Sequence, residues 1–102
     1  MAKRKVIWTK LAESQLREIL GYWKSRNGST AYPEKILKNT HSRIKVILKY
    51  PESYKVTTYP ETRISAMGHY SILYKFTDDH LIITAFWDNR QDPDKLSEII
   101  KS

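Results

Sequence analysis

One stretch limits what this chain can become: residues 63–90, from Arg63-Ile64-Ser65-Ala66-Met67 through Gly68-His69 to Phe86-Trp87-Asp88-Asn89-Arg90. It reads as three consecutive β-strands, Arg63–Met67, Tyr70–Phe76 and Leu81–Asp88. Between the turns lie the Ile, Thr, Tyr, Phe and Trp residues that suit a pleated, half-buried surface. Gly68-His69 forms the first turn, where glycine supplies positive φ. Asp78-Asp79 forms the second, with side chains that bond back to the turn backbone. A period of two sorts the side chains. Ile64 and Ala66, then Tyr70, Ile72, Tyr74 and Phe76, then Leu81, Ile83, Ala85 and Trp87 are expected on the covered face. Arg63, Ser65, Met67, Ser71, Lys75, Thr84, Phe86 and Asp88 are left for the open face, with Arg90 continuing the row.

The preceding residues supply the cover. Lys3–Thr9 reads as a strand with Val6 and Trp8 on one side, and Thr9 is an N-cap for the helix that follows. Ala12, Leu16, Ile19, Leu20 and Trp23 form one helical stripe, which leaves Lys10, Gln15, Arg17 and Lys24 for water. Asn27-Gly28 ends this helix with a left-handed cap. A second helix starts at Ser29-Thr30 with Pro33 in its first turn and ends at Tyr50-Pro51. Its packing stripe is Ile36, Leu37, Thr40, Ile44, Ile47 and Leu48, and Lys35, Lys38, Arg43, Lys45 and Lys49 make the other side basic. So short a link forces the two helices into an antiparallel hairpin. Residues 52–62 cross back as a loop or edge strand. Asp92-Pro93 opens a short terminal helix packed through Leu96, Ile99 and Ile100. The expectation is therefore an α+β fold of one domain over residues 1–102: an N-terminal strand, a helical hairpin on one face of a mainly antiparallel β-meander, and a short C-terminal helix.

Composition narrows the function classes. With no cysteine, disulfides and thiolate metal sites are excluded, and His41, His69 and His80 have no metal-ligand spacing. No apolar run approaches the ~18 residues of a membrane span, and the basic start lacks the apolar core of a secretory signal. A cytoplasmic protein is expected, with no cofactor, membrane or small-molecule substrate. The positive charge is lopsided. Residues 1–63 carry 14 Lys/Arg against 5 Asp/Glu, and residues 64–102 carry 4 against 6. The basic side lies on the helices, where it favours nucleic acid or an acidic protein partner.

The familiar catalytic motifs are missing: there is no glycine-rich phosphate loop, no His-Glu-x-x-His and no Gly-x-Ser-x-Gly. What remains on the open face is Arg63, Lys75 and Arg90 around Phe86. Three cations and an aromatic ring can hold a phosphate backbone and stack a base, or stabilise the charge of an RNA-cleavage transition state. They can equally solubilise the outer side of a sheet, with Arg63 paired to Asp88. His69, beside Arg63 across the turn, is the one acid–base candidate.

Four segments carry a resemblance to a known family. They are Val6-Ile7-Trp8-Thr9-Lys10-Leu11-Ala12 with Leu16 and Ile19-Leu20-Gly21-Tyr22-Trp23; Ile44 through Tyr50-Pro51-Glu52; Arg63-Ile64 with Gly68-His69-Tyr70-Ser71-Ile72-Leu73-Tyr74-Lys75; and Phe86-Trp87-Asp88-Asn89-Arg90-Gln91-Asp92-Pro93. In this order and spacing the chain resembles the RelE/ParE superfamily of bacterial toxins from type II toxin–antitoxin systems over nearly all its length. The resemblance implies a growth-inhibiting toxin neutralised by a cognate antitoxin. RelE-like members cut mRNA on the ribosome with basic residues on the open sheet face; ParE-like members inhibit DNA gyrase and lack that set. Arg63 and Arg90 fall on the basic positions and would be catalytic in a RelE-like chain, with Lys75, Phe86 and His69 contacting nucleic acid or target. Asp88 stands where the terminal histidine is expected, and no Tyr or His follows Arg90. That departure implies the ParE-like alternative. An endoribonuclease (mRNA interferase) and a non-toxic nucleic-acid-binding module are the other readings.

Overall fold

The computed structural model describes the chain from residue 4 to residue 101. Lys3 of the expected first strand and the Ile100 side chain of the terminal helix lie outside the described residues. The elements follow in the order β1 (Lys5–Trp8), α1 (Lys10–Asn27), α2 (Ala31–Lys49), β2 (Lys55–Val56), β3 (Arg63–Met67), β4 (Tyr70–Phe76), β5 (His80–Asp88) and α3 (Pro93–Lys101). The five strands form one sheet in the order β1-β5-β4-β3-β2, antiparallel except for β1 against β5. This is the expected α+β architecture. Its first strand pairs with its last, so the connection through α1 and α2 carries the chain from one edge of the sheet, β1, to the other, β2.

The helix boundaries follow from their caps. Thr9 is extended and its Oγ1 accepts from the Ala12 N–H at 3.2 Å, while Gly28 takes φ +62° and returns its N–H to the Lys24 carbonyl. Both satisfy backbone groups that a helix end leaves unpaired. Asp92 caps α3 by accepting from the Asp94 N–H at 2.9 Å.

Between the hairpin and the sheet lies the main core: Ala12, Ile36, Ile44 and Ile47 against Tyr70, Ile72, Tyr74, Leu81, Ile83 and Phe86. Tyr74 lies wholly inside it and donates its hydroxyl to the Pro51 carbonyl at 2.7 Å, which satisfies the one polar group it buries. Burial pushes its phenol up to about 12.

The expected face assignment fails in β5, and the cause is a β-bulge. Leu73 pairs with Ala85, but Tyr74 pairs with Ile83, so Thr84 is an extra residue with no partner in the ladder. The extra residue reverses inward–outward parity. Before it, Leu81 and Ile83 face the helices; after it, Phe86 does, while Ala85 and Trp87 turn to the opposite face. Phe86, expected on the open face, is fully buried. The N-cap of α1 and one α1 side chain hold the bulge. Thr9 donates to the Thr84 carbonyl at 3.3 Å, and Gln15 accepts from the Phe86 N–H at 2.9 Å. Gln15, expected to face water, is therefore a backbone partner of the sheet.

The parity of β3 is also the reverse of that expected. Arg63, Ser65 and Met67 lie opposite Tyr74, Ile72 and Tyr70 on the helix side, and Ile64 packs on the far side. Period alone gives two sets of residues; it gives no direction when both faces are covered. The far face is not open, because Leu96 of α3 packs on Leu73, Ala85 and Trp87 there, with Tyr59 and Ile64 alongside. The Tyr59 and Ser97 hydroxyls share a hydrogen bond of 2.9 Å that ties α3 to the 57–62 loop.

Candidate functional site

The structure separates the residues expected to form one site. Arg63 lies opposite Tyr74 and spends one guanidinium nitrogen on the carbonyls of Glu52 (3.1 Å) and Tyr54 (2.8 Å). Its cation lies 6.0 Å from the Phe76 ring. Arg63 thus fastens the segment between α2 and β2 to the sheet. Lys75 is on the other face, in a cleft with Tyr59, Thr62 and Thr84. Exposed His69 sits at the β3–β4 turn, next to Tyr70 and five positions along the chain from Tyr74, the residue opposite Arg63. That spacing is about 17 Å along an extended chain, so the expected Arg63–His69 pairing is absent.

Arg90 has different neighbours. After Asp88 the strand ends in a turn that folds the Arg90 side chain back. Its backbone N–H and Nε both reach Asp88 Oδ1 at 2.9 Å, and Nη2 reaches Oδ2 at 2.8 Å. This fork replaces the expected Arg63–Asp88 pair. It also holds the Asp88 carboxyl below the usual carboxylate range, the hydrogen bond from Arg90 being the main cause, and raises Arg90 in return. The guanidinium carbon lies 5.8 Å from the Trp23 ring centre and 5.9 Å from that of Tyr70.

Around it the last turns of α1 and the start of β4 build an aromatic wall. The Trp23 indole N–H donates to the Tyr70 hydroxyl at 2.8 Å, and Tyr22 and Tyr32 each meet Trp23 edge-on, at 5.1 and 5.0 Å. Behind them Tyr70 stacks on buried Phe86 at 5.7 Å, which anchors the wall in the core. Desolvation raises the Tyr70 phenol, so it is not a base at neutral pH. The result is a cleft of about 580 Å³ bordered by Glu18, Tyr22, Trp23, Arg26, Tyr70 and Arg90. Trp23 packs against the core with the rest of the α1 stripe, as expected, and in addition borders the cleft, its indole N–H held by the Tyr70 hydroxyl. The available signal was its place at the end of the stripe, one turn from Gly28, together with the need of a half-buried indole for a partner.

An aromatic wall with a paired cation suits a flat or apolar side chain from a partner. Within it Asp88 is a weakened base, Tyr70 a weakened acid and Arg90 a fixed cation, while Glu18 borders the cleft and His69 lies near enough to Asp88 to favour its charged form. Among the described residues no cluster of three His, Cys, Asp or Glu could hold a metal, and no helix is long and apolar enough to cross a membrane.

The fork has a pH signature. Because the folded Asp88 carboxyl titrates lower than the unfolded one, its contribution is fully present above the ordinary carboxylate range and is lost as pH falls through the lower folded value. Urea midpoints of the wild type and Asp88→Asn should therefore differ at pH 7 and converge as pH falls below the ordinary carboxylate range. A constant difference across that range would show that the fork adds no pH-dependent stability.

Comparison with known proteins adds two findings. A family profile described as the ParE toxin of type II toxin–antitoxin system, parDE, matches residues 6–93. A solved structure described as a chromosomal ParDE TA system from P. aeruginosa superposes with a TM-score of 0.65 at 16% identity, over 84% of this chain and 96% of that one. At that identity the second likeness shows the fold alone. No curated protein matches significantly.

Proposed function

The chain belongs to the ParE toxin family of type II toxin–antitoxin systems, and on that premise we propose that it arrests growth by binding DNA gyrase as a protein ligand, with no catalysis of its own. Membership makes it the toxin of such a system and implies an antitoxin partner. The gyrase target, a cytoplasmic site of action and a single domain over the whole chain are the further steps of this reading. The observation that carries it is the closed Asp88–Arg90 fork beside an aromatic wall. A nuclease site needs a free cation and a proton-transfer group at one scissile phosphate. Of the cations expected to form such a site, Arg90 is neutralised by its neighbour, Arg63 is bonded to loop carbonyls and Lys75 is on the opposite face, while Arg26 at the rim of the cleft donates to the Tyr22 hydroxyl. What the Arg90 cleft offers instead are rings that a partner protein can bury, the residue types that dominate protein interfaces.

The test is direct. Purified protein added to gyrase and relaxed plasmid should block supercoiling, and pulse labelling after induced expression should show DNA synthesis falling before translation. Unimpaired supercoiling at high molar excess, together with new message ends on translating ribosomes, would transfer the protein to the mRNA-interferase reading.

A further inference from the structure

The outer side of α2 carries a surface that the gyrase reading does not use. Lys35, Lys38, Lys45 and Lys49, with Ser42 between them, recur at spacings of three and four and are all exposed. On a helix they fall within an arc of about 80° and span about 21 Å of axis. None of the four has a hydrogen-bond or ion-pair partner among the described residues, where the only salt bridges are Glu13–Arg17 and Asp88–Arg90. Glu34, the one acid on this helix, accepts from Thr30 at its N-terminal end. Arg43, the helix's only arginine, is turned away. It donates to the Ser65 hydroxyl at 2.8 Å and the Ala66 carbonyl at 2.6 Å. The sheet thereby takes the planar, bidentate cation and leaves a row made only of lysines.

We propose that this lysine ridge binds the phosphate backbone of duplex DNA without reading its sequence. An acidic protein is the other polyanion with matching charge. However, lysine is depleted from protein interfaces, whose centres are aromatic or aliphatic, and it is enriched where phosphates are neutralised. Lysine ammoniums are point charges on flexible stems, which follow a backbone but do not select bases. Lys35 shares a groove with Tyr32 and Tyr70 of the wall, but Lys38, Lys45 and Lys49 border neither that groove nor the Arg90 cleft, so the inference stands apart from the identity of the protein target.

The experiment is fluorescence anisotropy of a labelled 20-bp duplex with the purified chain, without gyrase, from 50 to 200 mM salt. Four phosphate contacts give a log–log salt slope of about −3.6, an affinity loss of about 150-fold over that range. Replacing Lys35, Lys38, Lys45 and Lys49 with Gln should flatten the slope and weaken binding at least tenfold at 50 mM salt. Replacing Lys5, Lys10, Lys24 and Lys55 with Gln removes the same charge elsewhere and should leave the slope close to −3.6. If the fourfold ridge variant does not fold by circular dichroism, the pairs K35Q/K38Q and K45Q/K49Q should each reduce the slope by about half. Equal effects of the two fourfold sets, no binding by the wild type, or a ridge variant that keeps DNA and loses its antitoxin would each overturn the proposal.

Discussion

Phe86→Ala should destabilise the protein by about 3–5 kcal/mol, the range for emptying a core aromatic site. Its ring is wholly buried, stacked on Tyr70 and 6.4 Å from Trp8. Truncation removes this support from both and leaves a cavity between α1 and β5. In a domain whose total stability is about 5–15 kcal/mol, much of the population would unfold at growth temperature. Urea denaturation at neutral pH checks this, with Lys75→Ala as the companion. Lys75 is half-buried on the other face and makes no ion pair among the described residues, so it should move stability by no more than about 0.5 kcal/mol. Had Phe86 stood on an open face, the two variants would behave alike.

Trp23→Ala should instead cost function first. Its ring meets Tyr22, Tyr32 and Arg90, and its N–H holds the Tyr70 hydroxyl. Removing it collapses the wall and frees Arg90 on one side. A buried tryptophan in a binding centre carries about 2 kcal/mol or more, so on the gyrase reading proposed above inhibition should weaken roughly 30-fold. The stability loss should be smaller than for Phe86→Ala, because the residue is only half-buried. Dose–response curves for supercoiling, normalised to the folded fraction, separate the two effects. Equal potency of wild type and variant would remove the cleft from target recognition.

Sequence patterning marked the elements well because each carries its own local signal. Gly28, Gly68, Thr9 and Asp92 are chain punctuation with a backbone reason, and each stands where it was expected. The helix stripes held for the same reason, since the 3.6-residue period of Ile36, Thr40, Ile44 and Ile47 belongs to the helix alone. The candidate site was less legible because it depended on long-range register. Nothing local in Ile82-Ile83-Thr84-Ala85-Phe86 announces a bulge; its partners, Thr9 and Gln15, are about 70 residues away. One unpaired residue therefore carried Phe86 out of the expected surface row, and Asp88 and Arg90 with it to the helix side. Likewise Ile64 read as inward, which is correct as burial, but the apolar face it joined is the one beneath α3. The Asp88–Arg90 pair was legible only as a spacing of two; the fork needs the turn after β5.

The bulge also makes β5 two spliced half-strands joined at Thr84, the one residue of the strand without a ladder partner. Delete Thr84 in thought, and Ile83 still points to the helices, Ala85 away and Phe86 to the helices, with every ladder partner on β4 unchanged. Loss of a residue elsewhere within the paired run would turn one half of the strand inside out. Length variation along this strand is therefore confined to one position by the core itself. A gap placed anywhere else in an alignment of β5 would equate buried side chains with those of the opposite face.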